Sequence, residues 1–178
     1  MKRVILLTFI LLAASLTGFS QTNRAFRKGY RASVEIQNSA VFGKDKAGGM
    51  MQLSTLHGFR TGYGLFIGAG LGIGYNLLTD DYIIPLYLDA KYNFLDQKVS
   101  PFAGIRTGFR YNGSPNQTLG EFIAVSGGID AGAFSIRIGY EYGATRQRTA
   151  NYNGNNWVSD IVVLQKPSQL FCSFAVNF

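Results

Sequence analysis

The chain is short of the residues that soluble enzymes use. It has one cysteine, Cys172, and one histidine, His57, among 178 residues. A single cysteine excludes an intramolecular disulfide and a thiolate metal cluster. A single histidine leaves a zinc enzyme without ligands. Beyond the N-terminus there is no run of eighteen apolar residues, so a transmembrane helix is excluded. Basic residues outnumber acidic ones, 17 to 10, but they are scattered and many alternate with apolar residues. A nucleic-acid surface needs a basic stripe with stacking aromatics, so no nucleic-acid partner is expected. No cofactor or metal ligand set is recognisable.

The first twenty residues are expected to be a secretory signal peptide. Lys2 and Arg3 precede "VILLTFILLAASLTGF", and small residues at Gly18 and Ser20 suit cleavage before Gln21. No cysteine stands at that point, where the residue is Gln21, which argues against a lipoprotein signal. Residues 21–28 then form a short periplasmic segment. The remainder, 29–178, is one domain's worth of chain. Without Lys2 and Arg3, fifteen basic side chains face ten acidic ones, a balance of +5.

Six glycines crowd the span from Gly62 to Gly74. A dinucleotide-binding loop would need a third glycine at position 73, which is Ile73. So many glycines would also penalise a helix. The stretch instead alternates: Tyr63, Leu65, Ile67, Ala69, Leu71, Ile73 and Tyr75 share one parity, and the glycines with Phe66 share the other. Period two means a strand with one apolar face. The same rhythm recurs around 30–37, 51–60, 81–94, 102–111, 122–130, 134–142 and 170–178, giving eight strands.

Two architectures accommodate such strands in an exported chain. A soluble barrel buries the apolar face; a membrane barrel turns it to lipid. Wet strand faces carry lysines against aggregation, yet only Lys91 occurs in these eight. With both termini on the periplasmic side, Tyr30, Phe59, Tyr63, Tyr92, Phe94, Phe134, Phe174 and Phe178 gather at one rim. Tyr75, Tyr82, Phe109, Tyr111, Tyr140 and Tyr142 gather at the other. Two aromatic girdles around an aliphatic band match a bilayer's two interfaces.

Phe178, on an alternating apolar strand, resembles the C-terminal signature of outer-membrane β-barrels that their insertion machinery reads. The span from Gly29 to Phe178 resembles the small outer-membrane β-barrel family of Gram-negative bacteria. Its "HGFRTGYGLFIGAGLGIGY…IPLYLDAKYNF" run is most similar to the PorT-like branch. The resemblance implies an eight-stranded antiparallel up-and-down transmembrane β-barrel in the outer membrane, in contact with its lipid and lipopolysaccharide.

An eight-stranded barrel has room inside only for side chains. The expected lumen network is Arg31, Arg60, Lys91, Arg106, Arg110 and Arg137 against Glu35, Asp89, Asp130 and Glu141. These ions must pair, because an isolated buried charge costs several kcal/mol. Glycines of the third strand are expected to make room for those long side chains. Pro85 cannot donate to a ladder, so a bulge is expected there. Glu121 falls on the lipid parity and belongs at the outer interface. The longest outer connection, 143–168, carries Arg146, Arg148, Tyr152, Trp157 and Lys166 and is the candidate contact surface; its "WVSDIVVL" piece is expected to extend strands above the membrane.

Three function classes follow. The leading one is a non-enzymatic structural or interaction protein acting through its outer loops, toward a partner the sequence does not identify. A lipid-modifying enzyme would need a nucleophile and base within hydrogen-bond reach; His57 shares the lipid face with Thr55 and few acids, and reads as an interfacial girdle residue. A small-solute channel, or a subunit of an export or motility machine, is the third; the lumen charges disfavour the channel.

Overall fold

A computed structural model describes residues 25–42, 47–77, 81–113, 118–153, 156–165 and 168–178; for 41–42, 47–48, 118, 145–153 and 156–165 it describes the backbone alone. Nine strands follow one another: β1 (Gly29–Phe42), β2 (Ala47–Arg60), β3 (Leu65–Asn76), β4 (Asp81–Asn93), β5 (Val99–Asn112), β6 (Thr118–Ala131), β7 (Phe134–Asn153), β8 (Asn156–Gln165) and β9 (Ser168–Asn177). All pair antiparallel. β1 to β7 lie side by side, and β9 joins β7 to β1, closing the wall with eight strands. Closure removes every edge from the wall. Among the described residues no helix is long and apolar enough to cross a membrane; β1, β3, β4 and β9 run 14, 12, 13 and 10 residues, against the 9–11 that a tilted membrane-spanning strand needs.

The remaining strand, β8, lies outside the wall. β6 pairs with β7 only up to Gly120↔Thr145, and β9 only up to Tyr142↔Ser168. Beyond them β7 pairs with β8, from Thr145↔Gln165 to Asn153↔Asn156, with one register shift at Asn151/Tyr152. The connection expected as a loop over 143–168 is therefore mostly a β-hairpin standing on the barrel rim. Nine residues of strand rise about 30 Å.

At the other end, where Ala25 and Phe178 lie, the connections are tight. The β6–β7 turn is two residues long, and Gly132 takes φ +63°. Gly64, in the β2–β3 turn, has φ +85°, and a Cβ there would lie 2.6 Å from the Asn93 carbonyl oxygen. Both are conformations that side-chain-bearing residues rarely adopt.

The alternation has a definite sense. Large apolar side chains point outward on every strand of the wall whose side chains are described; Leu71 is 55% exposed and Ile138 63%. A soluble monomer exposes apolar patches of a few hundred Å² at most, whereas here the band encircles the molecule. The outward aromatics pair at matching heights: Tyr30 faces Phe59, and Tyr75 faces Tyr82. Phe134 and Phe174 stack with centroids 5.7 Å apart. Of the fourteen expected girdle residues thirteen are exposed, and Tyr111 is half-buried. Glu121 is exposed near the outer end of β6.

Pro85 does not make a bulge. The β3–β4 ladder pairs Leu71↔Leu86 and resumes at Gly74↔Ile83 in the same register, while Pro85 pairs with Arg110 on β5. A missing donor removes a bond from the ladder; here the loss is absorbed by a two-pair lapse, with no inserted residue.

Candidate functional site: a lumen filled with paired ions

The inward parity brings the ten expected ions into the lumen, where they sort into three tiers. In the middle, Arg106 Nη2 lies 2.8 Å from Glu35 Oε2, and its Nε lies 2.9 Å from Asp89 Oδ2. Arg106 Nη1 also donates to Gln37 Oε1 at 3.2 Å. Arg137 grips Asp89 with both terminal nitrogens. Two guanidiniums thus meet two carboxylates, tying β1, β4, β5 and β7 across the lumen. All four are at most 5% exposed.

The outer tier is one pair. Arg110 Nη2 lies 2.6 Å from Glu141 Oε1, which Gln169 also donates to. The third tier lies at the mouth beside Ala25 and Asn177. Asp130 accepts from Arg60 at 3.2 Å, from Lys91 at 3.0 Å, from Asn93 at 2.8 Å, and from the Ser135 hydroxyl. Arg60 Nη1 donates to the Ala25 carbonyl, and the Phe26 N–H donates to Asp96 Oδ1, so the segment before β1 is fastened across this mouth. Arg31 lines the same mouth.

The glycines act differently from the expectation. They do not directly make way for long cationic side chains; they admit rings. A Cβ on Gly70 would run into the Tyr87 ring, one on Gly68 into Phe66, one on Gly128 into Phe102 and one on Gly139 into Phe171. The rings then carry the cations. The Arg106 guanidinium sits 4.2 Å from the Tyr87 centroid, Arg110 4.8 Å from Phe122, and Lys91 4.7 Å from Phe102. Such cation–π contacts strengthen when desolvated. Tyr87 is 2% exposed and donates from its hydroxyl to Ser54 Oγ at 3.0 Å. Arg106, Arg110 and Lys91 are thereby each held between carboxylate and ring.

These rings, with Gln37, Asn93, Ser135 and Gln169, complete the network, and sequence reasoning had passed over them. The available signal was parity: each ring sits on the same face as the charges.

On the outer surface, Tyr30 Oη and His57 Nδ1 are 2.6 Å apart, so His57 is engaged with a girdle tyrosine. Cys172 is exposed on the outward face. Arg146 and Arg148 stand on β7 opposite Leu164 and Val162, and Tyr152 opposite Trp157; their side chains, and Lys166 altogether, lie outside the described residues. Among the described residues no three His, Cys, Asp or Glu side chains gather where a metal could be held.

No family model and no curated protein matches the chain. Solved structures do resemble its fold. The crystal structure of Neisserial surface protein A (NspA) aligns with 84% of this chain and 97% of its own, at 14% identity and a TM-score of 0.51. A de novo designed transmembrane β-barrel aligns with 83% and 95%, at 11% identity and 0.49. The N-terminal β-barrel domain of Pseudomonas aeruginosa OprF aligns with 85% and 100%, at 14% identity and 0.45. The chain shares with NspA a fold: a closed, eight-stranded antiparallel barrel.

Proposed function

We propose that this is a non-enzymatic protein of the Gram-negative outer membrane, closed to solutes, which works through its protruding β7–β8 hairpin. The middle tier carries the reading. Arg106, Arg137, Glu35 and Asp89 span the lumen from opposite strands, and opening a path would break a pair whose disruption costs several kcal/mol. The girdled apolar band supports contact with outer-membrane lipid, and the hairpin would stand among lipopolysaccharide sugars and beyond. β8 pairs with β7 on one side only, and such an edge favours a partner that adds a strand. The PorT-like resemblance of the His57–Phe94 region belongs to this proposal.

Two measurements test it. In planar bilayers the purified chain should give no conductance above the protein-free leak; steps of porin size would refute closure. A chain with 145–165 replaced by a short turn should still insert and migrate as a folded, heat-modifiable band. It should also lose the adducts that surface cross-linking of intact cells gives the full chain. Adducts that survive the excision would refute the hairpin as contact surface.

A further inference from the structure

The three lumen tiers are not charged alike. The outer tier sets Arg110 against Glu141, and the middle tier sets Arg106 and Arg137 against Glu35 and Asp89. At the mouth beside Ala25 and Asn177, Arg60 and Lys91 share Asp130. Even with Arg31, which has interactions of its own there, set aside, the mouth carries a surplus positive charge.

The surplus coincides with space. A cavity of about 30 Å³ opens at this mouth, lined by Arg60, Lys91 and Lys98, with Asp130 the one carboxylate among its lining residues. That is room for about two waters, or one small polar group. Arg60 is 8% exposed, and its Nε is buried without a hydrogen-bond partner. A buried donor left unpaired is costly, more so on a charged group. The Arg110 Nε shares that lack, but inside a neutral pair. An acceptor bearing negative charge would relieve both of these deficits, while the buried Asn93 Oδ1 of the same tier, an acceptor without a donor, calls for a water or a protonated group beside it. The cations are already fixed there, Lys91 by both oxygens of Asp130 and Arg60 by Asp130 and Ala25, so a ligand would have little ordering to do.

We infer that this mouth binds a small oxyanion group, a phosphate or carboxylate borne by a water-soluble molecule, through Arg60, Lys91 and Lys98. The cavity lies inside the wall, bounded by Ser33, Leu56 and Asn177, and is reached from the aqueous end of the lumen, away from the lipid face. The inference is independent of the hairpin's role.

Calorimetric titration of the full chain in zwitterionic micelles tests it, with inorganic phosphate and acetate each measured against chloride at constant ionic strength. Saturable binding is expected for the oxyanions. Arg60→Gln and Lys98→Glu should each weaken it by about tenfold, the loss of one charged hydrogen bond. Arg60→Gln also releases Ala25 and can disturb the fold; Lys98 is in an exposed turn, so Lys98→Glu decides the matter alone. Arg110→Gln, in the outer tier, should bind as the unaltered chain does. Absence of saturable heat beyond chloride, unchanged affinity in Lys98→Glu, or an equal loss in Arg110→Gln would overturn the site. Phosphatidylglycerol doped into the micelles should not compete; competition would overturn the assignment to a soluble ligand.

Discussion

Asp89, midway along the lumen, and Asp130, at the mouth beside Ala25 and Asn177, each hold two cations, and their settings differ in one respect. Asp89 binds Arg106 and Arg137, and Glu35 supplies a second carboxylate to the same cluster. Asp130 binds Arg60 and Lys91 without such help, next to a cavity. Where rings and ions fill the lumen, charges are matched one for one. The mismatch falls beside the larger space, about 30 Å³ at the mouth against about 20 Å³ beside Glu35 and Arg137. Packing and charge balance are therefore one constraint in this barrel, enforced in the middle and relaxed at the end.

The largest expected effect comes from neutralising the two aspartates in turn. Asp89→Asn leaves two nearly inaccessible guanidiniums facing Glu35 alone and should cost about 3–5 kcal/mol, the usual penalty for breaking a buried pair. Asp130→Asn leaves a larger formal surplus, yet the adjoining cavity lets solvent reach it, and about 1–3 kcal/mol is expected. Urea unfolding in phospholipid bilayers, followed by circular dichroism, measures both. An equal or larger loss for Asp130→Asn would break the comparison, because the mouth would then be as dry as the middle.

Next in size is a change of volume. A side chain at Gly70 meets the Tyr87 ring, on which Arg106 rests. Gly70→Val should cost about 1–3 kcal/mol through overpacking, chiefly by pushing that ring off Arg106. Gly127 lies outward on β6, and a methyl group added there would come no nearer than 3.7 Å to its closest neighbour, the Phe102 carbonyl oxygen. Gly127→Ala should leave unfolding within about 0.5 kcal/mol of the parent. The same assay compares them, and equal losses would show that the rings do not set the middle tier's rigidity.

How much of this was legible beforehand depends on what each residue's parity reveals. Alternation around Tyr63–Tyr75 was enough for the strand and its outward face, because period two fixes the side of every side chain. The charged residues needed only that rule and the cost of exposing Arg106 or Arg137 to lipid. Phe66, Tyr87, Phe102 and Phe122 obey the rule too, but an aromatic on the polar parity looks like an exception until the facing glycine is known, and that requires the three-dimensional pairing. The hairpin was half visible: "WVSDIVVL" has the β-branched residues of a strand, while the run from Thr145 to Asn153 lacks an apolar face and reads as loop. Backbone pairing supplied what composition could not. The Pro85 bulge failed for a similar reason, since a ladder can lapse without changing register.

The smallest effect sharpens the comparison most finely, because it exchanges the two cation types and leaves charge alone. Arg137 contacts Asp89 through both terminal nitrogens, the second at 3.3 Å, and its guanidinium lies 5.4 Å from the Phe102 centroid. Lysine has no planar fork, so Arg137→Lys forfeits one of these bonds, and the cavity of about 20 Å³ beside Arg137 and Glu35 offers little water to replace it, at a cost of about 1 kcal/mol. Lys91 already bridges both oxygens of Asp130 as a point donor, and the neighbouring cavity gives a larger head group somewhere to go. Lys91→Arg should therefore change unfolding by less than about 0.5 kcal/mol. If the exchange at Lys91 proved the more damaging of the two, the mouth would be as closely fitted as the middle, and the surplus charge there could not be ascribed to open space.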